Sequence, residues 1–205
     1  MTLKKIVNDV NSYYSNRIEE MGATPAGVDW NSVESQHLRF EQLLKVIDVN
    51  LFFKILDYGC GYGALFELLK GGYKNFDYTG YDISDKMINA AVGRNNFKNA
   101  KWVSSLPKVK FDYVVASGLF NVKLTHSNKS WFNYIIKTIA DLDKYSTKGF
   151  AFNVLTKYSD ADKMKDYLYY ADPLVLFDYC KKNFSRNVAL LHDYKLYEFT
   201  IIVRK

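Results

Sequence analysis

The sequence predicts an α/β protein: a mostly parallel seven-stranded sheet whose last strand runs antiparallel, preceded by a helical annex over residues 1–50. Three observations lead there. From residue 51 onward, short apolar strands alternate with helical periods, the pattern of a parallel sheet covered by helices. One strand runs into the glycines of Gly59–Gly63 and then directly into a helix. The final two strands, Val188–Leu191 and Leu196–Val203, are separated only by His192–Lys195, which is hairpin spacing and requires an antiparallel pair.

The elements follow in order. Leu3, Ile6, Val7, Val10, Tyr14 and Ile18 recur at helical spacing, and this first helix stops near Gly22. Ala23–Asp29, with Pro25 and Gly27, reads as a loop. Asn31 and Glu34 have the form of a helix N-cap with a reciprocal carboxylate, and Val33, Phe40, Leu43, Leu44 and Ile47 supply the apolar face of the helix that follows. Phe53–Tyr58 is the first strand, and a helix from Ala64 to Lys70 ends at Gly71-Gly72. Phe76–Asp82 is the second strand, and Ser84 caps a helix through Val92. Strands follow at Ala100–Val103 and Phe111–Ser117, then a helix at Trp131–Leu142 and a fifth strand at Gly149–Val154. Asp172-Pro173 open a helix through Lys182 before the final hairpin.

Composition limits the function classes. The 205 residues suit one domain spanning 1–205, with 1–50 as a helical lid on a 51–205 core. The 34 aromatic residues (17 Tyr, 14 Phe, 3 Trp) exclude a disordered chain. Two cysteines, Cys60 and Cys180, are too few for a disulfide framework or a four-thiolate zinc site. No apolar run approaches a membrane span, and the start MTLKKIVNDVNSYYS lacks the apolar stretch of a signal peptide, so a cytoplasmic location is expected. The net charge of +6 comes from 28 basic and 22 acidic residues. The basic residues are mostly lysines and are dispersed, whereas a nucleic-acid site would gather them in an Arg/Lys stripe. The expected partner is a small molecule, with neither nucleic acid nor membrane involved.

ILDYGCGYGALFELL, residues 55–69, is the most informative segment. A strand, a glycine loop and a helix in succession let backbone approach a ligand at the carboxyl edge of the sheet. Gly59-Cys60-Gly61-Tyr62-Gly63-Ala64 also fits a loose dinucleotide fingerprint, and alone it does not separate a nicotinamide enzyme from a nucleoside-binding one. Asp57, two residues before the first glycine, would repel a pyrophosphate but suits a ligand carrying ammonium and sulfonium charges. The chain is also short for a dinucleotide domain plus a substrate domain. Here the sequence resembles the class I S-adenosylmethionine-dependent methyltransferases. Their acidic-x-Gly-x-Gly-x-Gly motif stands as Asp57-Tyr58-Gly59-Cys60-Gly61-Tyr62-Gly63, and their acid ending the second strand stands as Asp82 in YTGYDIS.

The resemblance implies a Rossmann-like methyltransferase fold and S-adenosyl-L-methionine as cofactor. It implies that Asp57, Gly59, Cys60, Gly61 and Gly63 hold the methionine part, that Asp82 accepts both ribose hydroxyls, and that Ile83 lies against adenine. Cys60 reads as a space-filling residue within the loop, since no Cys–His pairing marks a nucleophile. Many family members carry an Asp after the third strand to meet the adenine amino group. This chain has Val103-Ser104-Ser105-Leu106, so Ser105 and Leu106 are the expected contacts, with Ser117 after the fourth strand.

Acceptor residues are expected from the ends of strands four and five, the final hairpin and the annex. The Ala116–Asn121 segment lacks the Pro-Pro-aromatic loop of enzymes that methylate base or amide nitrogens, and it lacks the aspartates of metal-dependent catechol-type enzymes. No metal is expected. His192 and Tyr194 are the candidate catalytic pair, provided that the penultimate strand ends at the carboxyl edge. Trp30, Gln36 and Arg39 are expected to form a lid, with Trp30 and Arg39 toward the cofactor and Arg39 paired with its carboxylate. Tyr14, Gln36, Asn121, His126, Asn153 and Tyr170 are the candidate acceptor contacts, and Tyr13 is a further lid residue; His37 reads as surface or packing. The resulting expectation is O-methylation of a small polar metabolite, a sugar or sugar-linked group; resemblance alone points to bacterial surface-polysaccharide (capsule) or natural-product biosynthesis. The alternatives are N-methylation of a small amine or amide, a non-catalytic nucleoside-binding partner subunit, or a nicotinamide-dependent reductase.

Overall fold

The structure is a computed structural model that describes residues 3–48, 51–95 and 97–205. The expected annex–core boundary at residues 50 and 51 falls partly outside the described residues. Two helices lead: α1, Leu3–Met21, and α2, Val33–Leu44, joined through a single 3-10 turn at Pro25–Val28. The expected cap at Asn31 is corrected: Ser32 is the N-cap of α2, and its hydroxyl accepts the Ser35 amide at 3.1 Å. A Ser at this position satisfies an orphan amide as well as an Asn would, so a one-residue shift carries little energy.

The core alternates as expected: β1 (Phe53–Tyr58), α3 (Ala64–Gly72), β2 (Phe76–Tyr81), α4 (Asp85–Arg94), β3 (Ala100–Val103), β4 (Phe111–Ala116), α5 (Asn128–Tyr145), β5 (Ser146–Leu155), α6 (Pro173–Asn183), β6 (Asn187–Leu191) and β7 (Glu198–Arg204). The seven strands lie in the order β3-β2-β1-β4-β5-β7-β6. All pairings are parallel except those of β7, which runs antiparallel between β5 and β6. Helix α5 begins earlier than the apolar pattern suggests because Ser127 caps it, accepting the Ser130 amide at 3.3 Å. β7 begins two residues later than expected, after Lys195 takes a left-handed turn at φ 58°.

Alternation along the strands builds a core on each face. Phe150, Phe152 and Val154 of β5 join Trp131, Ile135 and Leu142 of α5 on one face, while Ala151 joins Leu43, Leu65 and Phe66 on the other. Strand order reverses between β1 and β4, so the loops after these two strands part above the carboxyl edge. That crevice is where an open α/β sheet binds ligands. α1 and α2 lie over it: Ile6 and Val10 of α1 enter the α5 core, and Phe40 and Leu43 of α2 enter the α3 core. Among the described residues, no helix is long and apolar enough to cross a membrane.

Candidate active site

The loop after β1 forms the floor of the crevice. The amides of Gly59 and Cys60 both donate to the Tyr81 carbonyl, at 2.7 and 2.9 Å, which ties the loop to the end of β2. Gly63 caps α3 at φ 85°, and a Cβ there would come within 2.5 Å of the Trp102 ring, so only glycine fits. Asp82 follows β2 directly. Its Oδ2 accepts the Gly61 amide at 3.0 Å and its Oδ1 accepts the Ser84 amide at 2.9 Å, an arrangement that aims the carboxylate and leaves a lone pair on each oxygen.

Asp82 lines a cavity of about 130 Å³ together with Gly59, Gly61, Tyr58, Tyr81 and Ile83 from the core, and Val7, Val10, Asn11 and Tyr14 from α1. Its walls are mostly apolar or aromatic, and the Tyr58 and Tyr81 rings meet edge to face at 5.0 Å. A smaller space of about 40 Å³ lies on the other side of the glycine loop, lined by Asp57, Cys60, Gln36 and Ser117. Asp57 accepts the Tyr78 hydroxyl at 2.7 Å, and Gln36 accepts the Tyr62 hydroxyl at 2.9 Å. A third, larger chamber of about 660 Å³ opens toward solvent, lined among others by Asp29, Arg39, Asn121, Tyr170 and Glu198. Val28 and Trp30 line all three spaces.

Trp30 is seated by a missing side chain. Gly118, after β4, has φ 69°, and a Cβ on it would lie 2.3 Å from the Trp30 ring. The Arg39 guanidinium lies over that indole at 4.0 Å from the ring centroid. Arg39 Nε donates to Glu198 at 2.8 Å, and the Asn121 amide donates to the other Glu198 oxygen at 3.0 Å.

Several expected site residues converge on these spaces: Trp30, Asp57, Gly59, Cys60, Gly61, Asp82, Ile83, Ser117, Tyr14 and Gln36. Gly63 acts one step back, as the start of α3. Burial raises the Cys60 thiol well above its ordinary value, and its Sγ fills space against Gly80, as a small packing residue should. Asn121 and Tyr170 line the large chamber, although Asn121 is largely spent on Glu198 and on the Leu155 amide.

Other expectations need correction. His192 is exposed beyond the edge strand β6, with its ring 6.1 Å from that of Tyr158, and lines none of the three spaces. β6 does end at the carboxyl edge, but β7 and β5 separate it from the crevice. Tyr194 is buried against β7, its hydroxyl 3.0 Å from that of Thr200. Asn153 is wholly buried, and its Oδ1 accepts the Gly118 amide at 2.7 Å, which shapes the loop under Trp30 instead of meeting an acceptor. His126 is buried beneath α1, 3.1 Å from Asp9, with its ring stacked on Trp131. Ser105 and Leu106 follow β3 without lining the nucleoside cavity. Arg39 is committed to Glu198 and to the Ser35 carbonyl, 2.7 Å from Nη1, and lines the large chamber but neither space beside the glycine loop.

Some of the lining residues that sequence reasoning missed sit on the annex, and others, Lys163, Lys165, Tyr167, Tyr197 and Glu198, come from the segment after β5 and from around the start of β7. Val7, Val10 and Asn11 read as one face of a helix, with nothing to say that this face covers a ligand site. Asp29 was read as loop. It occupies left-handed backbone at φ 61°, unusual for a non-glycine, and pairs with Arg17 at 3.0 Å on the wall of the large chamber.

A glycine loop at the switch point, an aimed carboxylate after β2 and a covered apolar slot define a nucleoside-binding enzyme of the class I methyltransferase type. A family model described as a methyltransferase domain matches residues 14–171. A protein of Mycobacterium tuberculosis, assigned as a methyltransferase by name only, is 49% identical over 165 residues, 79% of this chain and 99% of its own. The chain belongs to the methyltransferase-domain family. Among solved structures, magnesium protoporphyrin IX methyltransferase from Synechocystis PCC 6803 with bound SAM superposes with TM-score 0.64 at 17% identity, covering 100% of this chain and 98% of that one. The plantazolicin methyltransferase in complex with SAH gives TM-score 0.62 at 13% identity, covering 99% of both chains.

Burial dominates the acid–base properties of the floor. It lifts Asp57 from 3.8 to about 7, against the Tyr78 hydrogen bond and with a further push from the Asp82 charge. It lifts Asp82 to about 6, against the Ser84 and Gly61 amides. Unfolded, both carboxyls titrate near 3.8, so between that value and about 7 the folded protein binds more protons and its stability falls as pH rises. Melting temperature should therefore drop from about pH 5 to about pH 7.5, and Asp57→Asn should flatten the drop. An unchanged slope in that variant would show that Asp57 is not its source.

Proposed function

We propose that this enzyme transfers a methyl group from S-adenosyl-L-methionine to a hydroxyl of a small polar acceptor, a sugar or sugar-linked group. The observation that carries the cofactor assignment is the Asp82 carboxylate, aimed by two backbone amides into a slot that Gly59 and Gly61 keep free of side chains. In that slot Asp82 would accept the ribose hydroxyls, while Tyr58, Tyr81 and Ile83 would enclose the base. Asp57 and Gln36 would face the methionine part, where a buried carboxylate offsets positive charge. The cofactor supplies a methyl group on a sulfonium, a leaving group that needs no protonation.

The chain's own task is alignment, exclusion of water and removal of the acceptor proton. Trp30 borders both the slot and the large chamber and would set the line of transfer. Tyr14, Trp30, Tyr167, Tyr170 and Tyr197 line the chamber, and such flat faces suit a pyranose ring. Asp29, next to Trp30, is the group best situated to take the hydroxyl proton, in place of His192. The resemblance points to a role in surface-polysaccharide or natural-product assembly.

Titration calorimetry with S-adenosylhomocysteine and with NAD tests the cofactor reading. S-adenosylhomocysteine should bind and NAD should not, and Asp82→Ala should weaken binding by about 1.5–3 kcal/mol through loss of charged hydrogen bonds. NAD binding alone would overturn the reading in favour of a reductase. For the proton acceptor, Asp29→Asn should lower turnover on a sugar substrate by about 10²–10⁴ while S-adenosylhomocysteine affinity is retained. Full activity in that variant would exclude Asp29 as the base.

A further inference from the structure

The large chamber is charged unevenly. Four cationic residues line it, Arg17, Arg39, Lys163 and Lys165, against two acids, Asp29 and Glu198. The acids are already matched: Arg17 Nε lies 3.0 Å from Asp29, and Arg39 Nε lies 2.8 Å from Glu198. Lys163 and Lys165 are left over. Both come from the segment between β5 and α6, which also carries Asp160, Asp162 and Asp166, yet of these five only the two lysines line the chamber. Asp160 is taken by the Tyr197 hydroxyl. Asp162 lies 3.1 Å from Lys163, but the two side chains are 70% and 62% exposed, and a pair so solvated holds its partner weakly.

The segment is held in place. The Lys123 and Leu124 amides donate to the Tyr167 carbonyl at 2.9 and 3.0 Å, and the Tyr169 amide donates to the Asn121 carbonyl at 2.8 Å. The Lys165 amide donates to the Tyr170 hydroxyl at 2.9 Å. Lys163 and Lys165 line the large chamber but neither of the spaces beside the glycine loop, whereas Trp30 borders all three. Two exposed ammonium groups on one chamber wall, one of them paired only with a well-solvated carboxylate, remain able to exchange that partner for an anion entering the chamber.

Resting on the functional reading above, we propose that the acceptor is an anion, whose phosphate or carboxylate is held by Lys163 and Lys165 while its methylated hydroxyl lies beside Trp30. A neutral sugar would offer these lysines no charge to bind. The ligand should thus span the chamber, charged end outward and reacting end inward.

The test uses the full chain saturated with S-adenosylhomocysteine, and three probes: glucose, glucose 1-phosphate and glucuronate. The charged probes should bind roughly tenfold or more tightly than glucose, a difference that corresponds to about 1.4 kcal/mol. Their advantage should shrink as salt rises from about 20 to 300 mM. Comparison of glucose 1-phosphate with glucuronate decides between phosphate and carboxylate. In Lys163→Gln/Lys165→Gln, whose folding is checked by its melting temperature, the preference should vanish. Equal binding of glucose and both charged probes, no binding of either charged probe, or a preference that survives in the double variant would each overturn the proposal. Failure to bind S-adenosylhomocysteine would instead overturn the functional reading beneath it.

Discussion

Glu198, wholly buried at the first position of β7, joins three segments that are distant in sequence. One carboxylate oxygen accepts Arg39 of α2, and the other accepts Asn121 of the loop after β4. A carboxylate removed from water this completely needs such partners, because its desolvation is large. The consequence is geometric. Wherever β7 sets Glu198, Arg39 must come to it, and α2 comes with Arg39. The annex is thereby fixed over the carboxyl edge, and Arg39 in turn presses the Trp30 indole onto Gly118.

The division of the crevice follows from that contact. Trp30 borders the slot beside Asp82, the space beside Asp57 and the large chamber alike, so the position of one ring decides how the three connect. Asn153 supports the same point from below, its side chain accepting the Gly118 amide at 2.7 Å and so shaping the backbone that meets the ring. The glycine loop and the aimed Asp82 carboxylate are properties of the sheet edge, whereas the slot and the chamber are walled in part by annex residues such as Val7, Tyr14 and Asp29. Their separation into distinct spaces follows Val28 and Trp30 of the annex, which border all of them.

The sheet and the cofactor floor were legible because their signals are local. The β1 bounds follow from one apolar run, the glycine loop from its spacing, and Asp82 from its position after β2. The antiparallel β7 follows from a four-residue gap. The acceptor side was not legible, because it depends on which loops meet above the sheet. His192 ends a strand at the correct edge, yet β6 lies two strands outside the crevice. Asn153 sits on a strand close to the site but points inward to the backbone of Gly118. Glu198 looked like an ordinary strand residue, and only its register opposite Leu155 and its reach to Arg39 reveal its role. Asp29 offered no periodicity or motif at all; its left-handed backbone becomes visible only once the chain is folded.

A double-mutant cycle on Arg39 and Glu198, read by urea denaturation, tests most directly whether this buried pair fastens the annex. Arg39→Met alone should cost about 3–5 kcal/mol, because it strands a buried carboxylate. Adding Glu198→Leu should cost far less than the sum of the single changes, giving a coupling of about 2 kcal/mol or more. Costs that simply add, to within about 0.5 kcal/mol, would mean that the two residues act independently and that the annex is held by other means.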